Sequence, residues 1–231
     1  MRIGGIQKTS LIDYPEKISA IIFTQGCNFR CRYCYNSKLV LPELFEEPID
    51  EKEIFSFLEK RKGKIDGVVI SGGEPTIHKD LPFFVKKIKE MGFLVKIDTN
   101  GTNAKMIEEL INKNLVDYIA MDIKAPIEKY EKITQVSVDK NNILKTIEIL
   151  MNSSLEYEFR TTYVKSLLSF DDFRKMGKMI KNAKLYAIQA FLPTKTLIDK
   201  SLQNEERPNI EEMNKVAEIM RRYVKKCIIR E

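Results

Sequence analysis

The sequence predicts an α/β fold, a partial six-stranded (β/α)6 TIM-like barrel with parallel strands. Three observations predict it. Apolar, strand-like runs alternate with helical segments of about 10–15 residues, the pattern of parallel βα units. Residues of chemical type gather at the C-terminal ends of the first five strands, where βα barrels carry their sites. The 231 residues fit six units better than a full eight-stranded barrel, which takes about 250 or more.

A polar-apolar lead-in, 1–17, ends near Tyr14-Pro15. Strand one covers 18–24, and a cysteine-rich loop follows. Residues 37–48 read as an irregular connection carrying Pro42 and Pro48. Asp50 is a candidate N-cap with Glu53 as its capping-box partner, and the helix runs to about 62 with Ile54, Phe57 and Leu58 as its apolar stripe. Strand two is 66–71, ending in Gly72-Gly73-Glu74-Pro75. Asp80 caps the next helix, with Pro82 in its first turn. Strand three, 93–98, ends in Asp98-Thr99-Asn100-Gly101, and helix three spans 103–113. Strand four, 116–123, ends in Asp122-Ile123-Lys124. A stretch with Tyr130 and Thr134 precedes a helix at 138–151. Strand five is 157–164, a helix covers 170–180, and strand six is 185–191. A terminal helix within 208–226 shows Met213, Val216, Ala217, Met220 and Val224 on one face. With no repeat or low-complexity linker, 1–231 reads as one domain with a core at 18–191.

Composition narrows the class. At 43% hydrophobic residues the chain can bury a sizeable core. No N-terminal apolar segment suggests a signal peptide, and no run of 18 apolar residues suggests a membrane span. Four cysteines in this pattern are not a secreted disulfide framework, so a reducing, cytoplasmic compartment is expected. The net charge of +6 could suggest nucleic acid. The lysines are mixed with glutamates along helices, however, as in Lys86-Lys87-Ile88-Lys89-Glu90, and solvated helix faces explain them better. No Gly-x-Gly-x-x-Gly follows strand one, so a dinucleotide-binding fold lacks its signature.

Three of the four cysteines, Cys27, Cys31 and Cys34, sit inside eight residues with the spacing Cys-x3-Cys-x2-Cys. Thiolates select zinc, copper(I) or iron–sulfur centres. An ordinary [4Fe-4S] centre takes four cysteines; three imply a [4Fe-4S] cluster with one iron left for another molecule. The competing reading is a structural zinc site completed by His78 or Cys227.

Cys-x3-Cys-x2-Cys followed by Gly72-Gly73-Glu74-Pro75 resembles the radical S-adenosylmethionine (SAM) superfamily. More closely, the stretch from Gly5-Ile6-Gln7-Lys8-Thr9-Ser10 to Leu11-Ile12-Asp13-Tyr14-Pro15 resembles activating proteins of anaerobic ribonucleoside-triphosphate reductases, relatives of pyruvate formate-lyase activating enzyme. The resemblance runs from residue 3 to about 195. It implies that Cys27, Cys31 and Cys34 bind the cluster and that SAM occupies the remaining iron. It implies that Gly72, Gly73 and Glu74 meet the SAM amino group, and that Lys124 meets its carboxylate. Asp98, Asn100 and Asp122 would lie along the SAM site, with Asp98 or Asp122 on the ribose or orienting Lys124. Arg160 reads as a barrel-interior residue near SAM or the substrate, with an internal Glu158–Arg160 pair as the alternative; Gln189 is a weaker candidate. Tyr33 and Phe29 would shield the cluster or stack near adenine. The implied activity is anaerobic glycyl-radical-enzyme activation. SAM is reductively cleaved, and a glycine of a partner, expected to be an anaerobic ribonucleoside-triphosphate reductase, loses hydrogen. Flavodoxin or ferredoxin would be the electron donor. A radical SAM enzyme acting on a small molecule or RNA is the alternative. The chain departs from its relatives at Tyr35, where His is usual, at Arg32, where Pro is frequent, and at Glu16, where Gly is usual.

Overall fold

A computed structural model describes residues 1–230. Eight strands form a mixed, mostly parallel sheet flanked by helices, a partial (β/α) barrel. The strands are β1 (Ile3–Ser10), β2 (Ser19–Thr24), β3 (Gly67–Gly72), β4 (Leu94–Thr99), β5 (Tyr118–Asp122), β6 (Glu156–Tyr163), β7 (Tyr186–Ala190) and β8 (Cys227–Arg230). Strand order in the sheet follows chain order. The six expected strands correspond to β2–β7. By contacts the chain divides into two compact units: Met1–Asn28, Lys38–Thr99 and Asn103–Ile119 in the first; Phe29–Ser37, Asn100–Thr102 and everything from Ala120 on in the second.

In the first unit, β2, β3 and β4 pair in parallel, and β1 runs antiparallel to β2. The lead-in thus contains a strand that the sequence pattern hides. Its Gly4-Gly5 pair and its run of exposed Gln7, Lys8 and Thr9 break the alternation of a half-buried strand, and the unpaired side of β2 supplies its hydrogen bonds. Parallel strands buried on both faces read as continuous apolar runs, as Ala20-Ile21-Ile22 and Val68-Val69-Ile70 do. Three helices cover them: α2 (Glu51–Glu59), α3 (Leu81–Glu90) and α4 (Ala104–Asn112), which follow the short α1 (Ser37–Val40). Their buried stripes are Ile54 and Leu58; Leu81, Phe84, Val85 and Ile88; and Met106, Ile107 and Leu110. Asp50 caps α2 by accepting from Lys52 N at 2.8 Å. Asp80 makes no side-chain cap to α3, whose start is set by proline instead.

In the second unit, β6, β7 and β8 pair in parallel. The helices are α5 (Tyr130–Thr134), α6 (Lys140–Asn152), α7 (Phe170–Met179) and α8 (Ile210–Met220). Ser169–Asp172 and Asn209–Glu212 capping boxes start α7 and α8. The terminal helix is shorter than its apolar stripe suggests. It stops at Met220, and the chain turns so that Tyr223 O accepts from Asn182 N and Lys225 N donates to Ala183 O, which delivers Cys227–Arg230 into β8. Val224 is buried in that turn. Among the described residues no helix is long and apolar enough to cross a membrane.

Candidate functional site

In the first unit, the turn after β3 needs both of its glycines. Gly72 has φ +111°, and a Cβ there would lie 2.4 Å from Thr24 N; a Cβ on Gly73 would lie 1.9 Å from Gly26 O. The Gly73 N–H donates to Thr24 O at 2.9 Å and the Glu74 N–H to Gly26 O at 2.8 Å. The glycines therefore bring this turn against the chain leaving β2, just before Cys27. Glu74 points inward and is buried. Its Oε1 accepts from Thr76 N at 3.0 Å, Thr76 Oγ1 at 2.6 Å and Thr99 Oγ1 at 2.8 Å. Asp98, at the end of β4, accepts from Ser71 Oγ at 3.0 Å and from the Lys96 ammonium. Lys96 was not among the expected site residues. It is almost fully buried, and its Nζ lies 6.0 Å from the Tyr118 ring centroid. Period-two alternation puts Lys96 and Asp98 on one strand face, and a lysine inside Leu94-Val95-Lys96-Ile97 was the available signal. His78 follows the turn at the start of α3. Burial pulls its imidazole below the ordinary value, against the pull of Asp80.

In the second unit, β5 ends in Asp122 and hands over to Lys124. Asp122 takes one cation on each oxygen: Arg160 Nε at 2.9 Å on Oδ1 and Lys124 Nζ at 3.0 Å on Oδ2. Burial favours the neutral carboxyl, but the charges of Arg160 and Lys124 outweigh it and hold Asp122 down to about 2. Burial likewise opposes the Lys124 ammonium. Asp122, Tyr33 and Cys31 overcome it and hold Lys124 well above its ordinary value. Lys124 Nζ stands 5.8 Å from the Tyr33 ring centroid, a cation–π arrangement. Of the two residues proposed to orient Lys124, Asp122 does so and Asp98 pairs with Lys96. Glu158, fully buried, is held bidentately by Arg230 at 2.7 and 2.6 Å. Register puts Glu158, Arg160, Gln189 and Arg230 on one face of β6–β8. Asn100 accepts from Thr102 N at 3.0 Å and Thr102 Oγ1 at 2.7 Å, which closes the turn after β4.

The cysteine loop is held on one side by α5, where Arg30 N donates to Thr134 O at 2.8 Å and Arg32 N to Ile133 O at 3.1 Å. Phe29 packs edge-on against Tyr130, whose hydroxyl accepts from Lys124 N at 3.3 Å. Cys31 and Cys34 share a tight turn, Cys34 N to Cys31 O at 3.0 Å. Burial pushes the Cys31 thiol up to about 11, with the Lys124 charge pulling the other way. Burial also raises Cys34, against a backbone hydrogen bond from Asn36 and the charges of Lys124 and Arg30. Tyr35 is exposed.

The residues fit a thiolate-held iron–sulfur cluster. The donor set is soft, no cysteine is committed to a disulfide, and Lys124 places positive charge beside the turn where thiolates would form. The buried Tyr33 hydroxyl has no hydrogen-bond partner, which an occupied site would explain. Cys227 pairs in register with Tyr186 and, through it, Phe159, so it points to the opposite face from Arg160. That removes it as a fourth ligand beside the Asp122–Lys124–Arg160 group.

The radical SAM superfamily model matches residues 21–179. A Methanocaldococcus jannaschii protein, named as a candidate glycyl-radical enzyme activating enzyme, is 39% identical over 99% of this chain and 95% of its own length. The pyruvate formate-lyase-activating enzyme of Clostridium pasteurianum is 30% identical over 85% of this chain and 83% of its own. Among solved structures, Streptococcus suis SuiB bound to S-adenosylmethionine superposes with TM-score 0.72 at 14% identity, covering 91% of this chain and 50% of SuiB. The chain thus spans about half the length of SuiB, and the likeness is one of fold. A pyruvate-formate lyase-activating enzyme domain from Bacteroides vulgatus gives TM-score 0.57 at 16% identity, covering 72% of this chain and 99% of that domain. The family match over most of the sheet, joined to identity along nearly the whole chain, assigns it: this protein belongs to the radical SAM superfamily of oxidoreductases and falls with the glycyl-radical-enzyme activating enzymes.

Proposed function

We propose that this chain activates a glycyl radical enzyme, with an anaerobic ribonucleoside-triphosphate reductase as partner and flavodoxin or ferredoxin as reductant, in the cytoplasm. Residues 1–231 act as a single radical SAM domain. Cys27, Cys31 and Cys34 hold a [4Fe-4S] cluster, which when bound supplies the electron that cleaves SAM to methionine and the 5′-deoxyadenosyl radical that takes hydrogen from the partner's glycine. The chain's own residues bind and orient. Lys124 receives the SAM carboxylate through a charge-assisted hydrogen bond. Asp122 holds Lys124 and Arg160 in place, and Arg160 lines the substrate side. The Gly72-Gly73-Glu74 turn takes the SAM amino group. Asp98 and Asn100 border the nucleoside, and Tyr33 covers the cysteine turn.

The observation that carries this reading is the half-buried Lys124 ammonium. It stands over Tyr33, inside the cysteine turn, and is tethered to Asp122. A cation beside the Cys31 and Cys34 thiols suits a ligand that carries a carboxylate. The test is anaerobic reconstitution with iron, sulfide, SAM and the reductase, read by electron paramagnetic resonance. A glycyl radical on the reductase is expected. SAM cleavage without that radical would favour the small-molecule or RNA reading, and no SAM cleavage would overturn both.

A further inference from the structure

The loop after β7 ends in a feature that the proposed activity does not use. Ile198 N donates to Cys34 O at 2.9 Å, and Asp199 N donates to Arg32 O at 3.1 Å. The Asp199 carboxylate then binds both ways. Oδ2 takes Arg32 Nε at 2.7 Å, while Oδ1 takes Ser201 N at 2.9 Å and Ser201 Oγ at 2.7 Å. Arg32 engages through three separate groups: its N–H on α5, its carbonyl on Asp199 N and its guanidinium on the Asp199 carboxylate. The two side chains are about one-quarter exposed, 27% and 25%, so water screens their charges only in part. Leu197 and Leu202, on either side, are buried and anchor the loop. The Cys31–Cys34 turn is therefore clasped between α5 and residues 198–199, and a loop with no catalytic group of its own completes its walls.

We propose that residues 198–199 are a latch on the cysteine loop and that Asp199, through Arg32, is a positioning residue for the Cys31–Cys34 turn. The inference rests on the reading of those cysteines as cluster ligands, but it makes a separate claim about the metal-free chain. A short turn with two free ends samples many arrangements of its sulfurs. Bonding its carbonyls at Arg32 and Cys34 to a second segment removes that freedom before any iron arrives.

Hydrogen exchange on the metal-free chain tests the latch directly. Asp199→Ala and Arg32→Ala should each speed exchange across 29–37 and 196–200 by about tenfold or more. The double variant should be no faster than either single one, because both remove one interaction. Ser201→Ala, which spares Arg32, should leave 29–37 as in the parent. In reconstituted protein, Asp199→Ala and Arg32→Ala should lose iron to a chelator faster and broaden the reduced cluster's paramagnetic resonance signal, and Ser201→Ala should do neither. Unchanged exchange at 29–37 in Asp199→Ala, or an equal change in Ser201→Ala, overturns the latch. So does loosening of β6 and β7 to the same degree as 29–37. A parent chain that never takes up a cluster would remove the proposed function and leave the exchange result to judge the latch alone.

Discussion

Replacing Asp122 by Asn tests whether the site is wired as its hydrogen bonds indicate. Asp122 links Lys124 to Arg160, and its carboxyl falls from an ordinary 3.8 to about 2 because those two cations favour its charged form against burial. At about 1.4 kcal/mol per pKa unit, the drop corresponds to about 2.5 kcal/mol, or about 2 kcal/mol once the carboxylate's partial exposure is allowed for. The sign follows from linkage. A carboxyl depressed in the folded state stabilises the fold above its unfolded pKa of about 3.9, and that contribution is lost as pH falls through the folded value. In urea unfolding of the metal-free chain, Asp122→Asn should be less stable by about 2 kcal/mol at pH 7. The difference should shrink to about half near pH 3 and be mostly gone at pH 2. Asn is nearly isosteric, so packing loss alone would give a deficit that does not vary with pH. A pH-independent deficit, or none at pH 7, would refute the ion-pair account.

Three further outcomes follow from the same geometry. Cys31→Ser should abolish the cluster's visible absorption and SAM cleavage, whereas Cys227→Ser, altered on the opposite face of the sheet, should keep both; the reverse result would mean the ligand set is wrong. Lys124→Ala should weaken SAM binding by about tenfold or more, as loss of a charge-assisted hydrogen bond would, with cluster absorption intact in the same sample; equilibrium dialysis showing parental affinity would take Lys124 out of the site. Gly73→Ala drives a Cβ to 1.9 Å from Gly26 O. It should lower the thermal midpoint and cut cluster occupancy, and a fully loaded variant of parental stability would show that the two segments need not touch.

Much of the fold was legible because parallel strands buried on both faces are written as apolar runs, as β2, β3 and β5 are, while β6 shows alternation. The two strands that escaped are those whose pairing lies at the ends of the strand order. β1 carries too many polar and glycine residues to show alternation, and β8 is four residues long behind a helix whose apolar stripe runs on through Val224. The cysteines stand out as candidate ligands for a different reason. Ligand chemistry depends on residue type and on spacing within a single loop, and both are local.

The partners of the charged residues were not local. Sequence alternation puts Glu158 and Arg160 on one face, with Arg160 read as a residue of the barrel interior and a Glu158–Arg160 pair as the alternative. Yet β5 brings Asp122 to Arg160, and β8 brings Arg230 to Glu158, because neighbouring strands set which charges meet. Asp199 had no signal at all: a carboxylate in a long polar loop looks like any other until its oxygen is found on Arg32. The amino-acid order alone therefore determined the class of the fold and marked the cysteine loop as a candidate soft-metal site, since periodicity and ligand spacing are properties of short stretches. Tertiary structure alone decided which charge neutralises which and what holds the loop still, since both depend on residues that meet only after distant strands have paired.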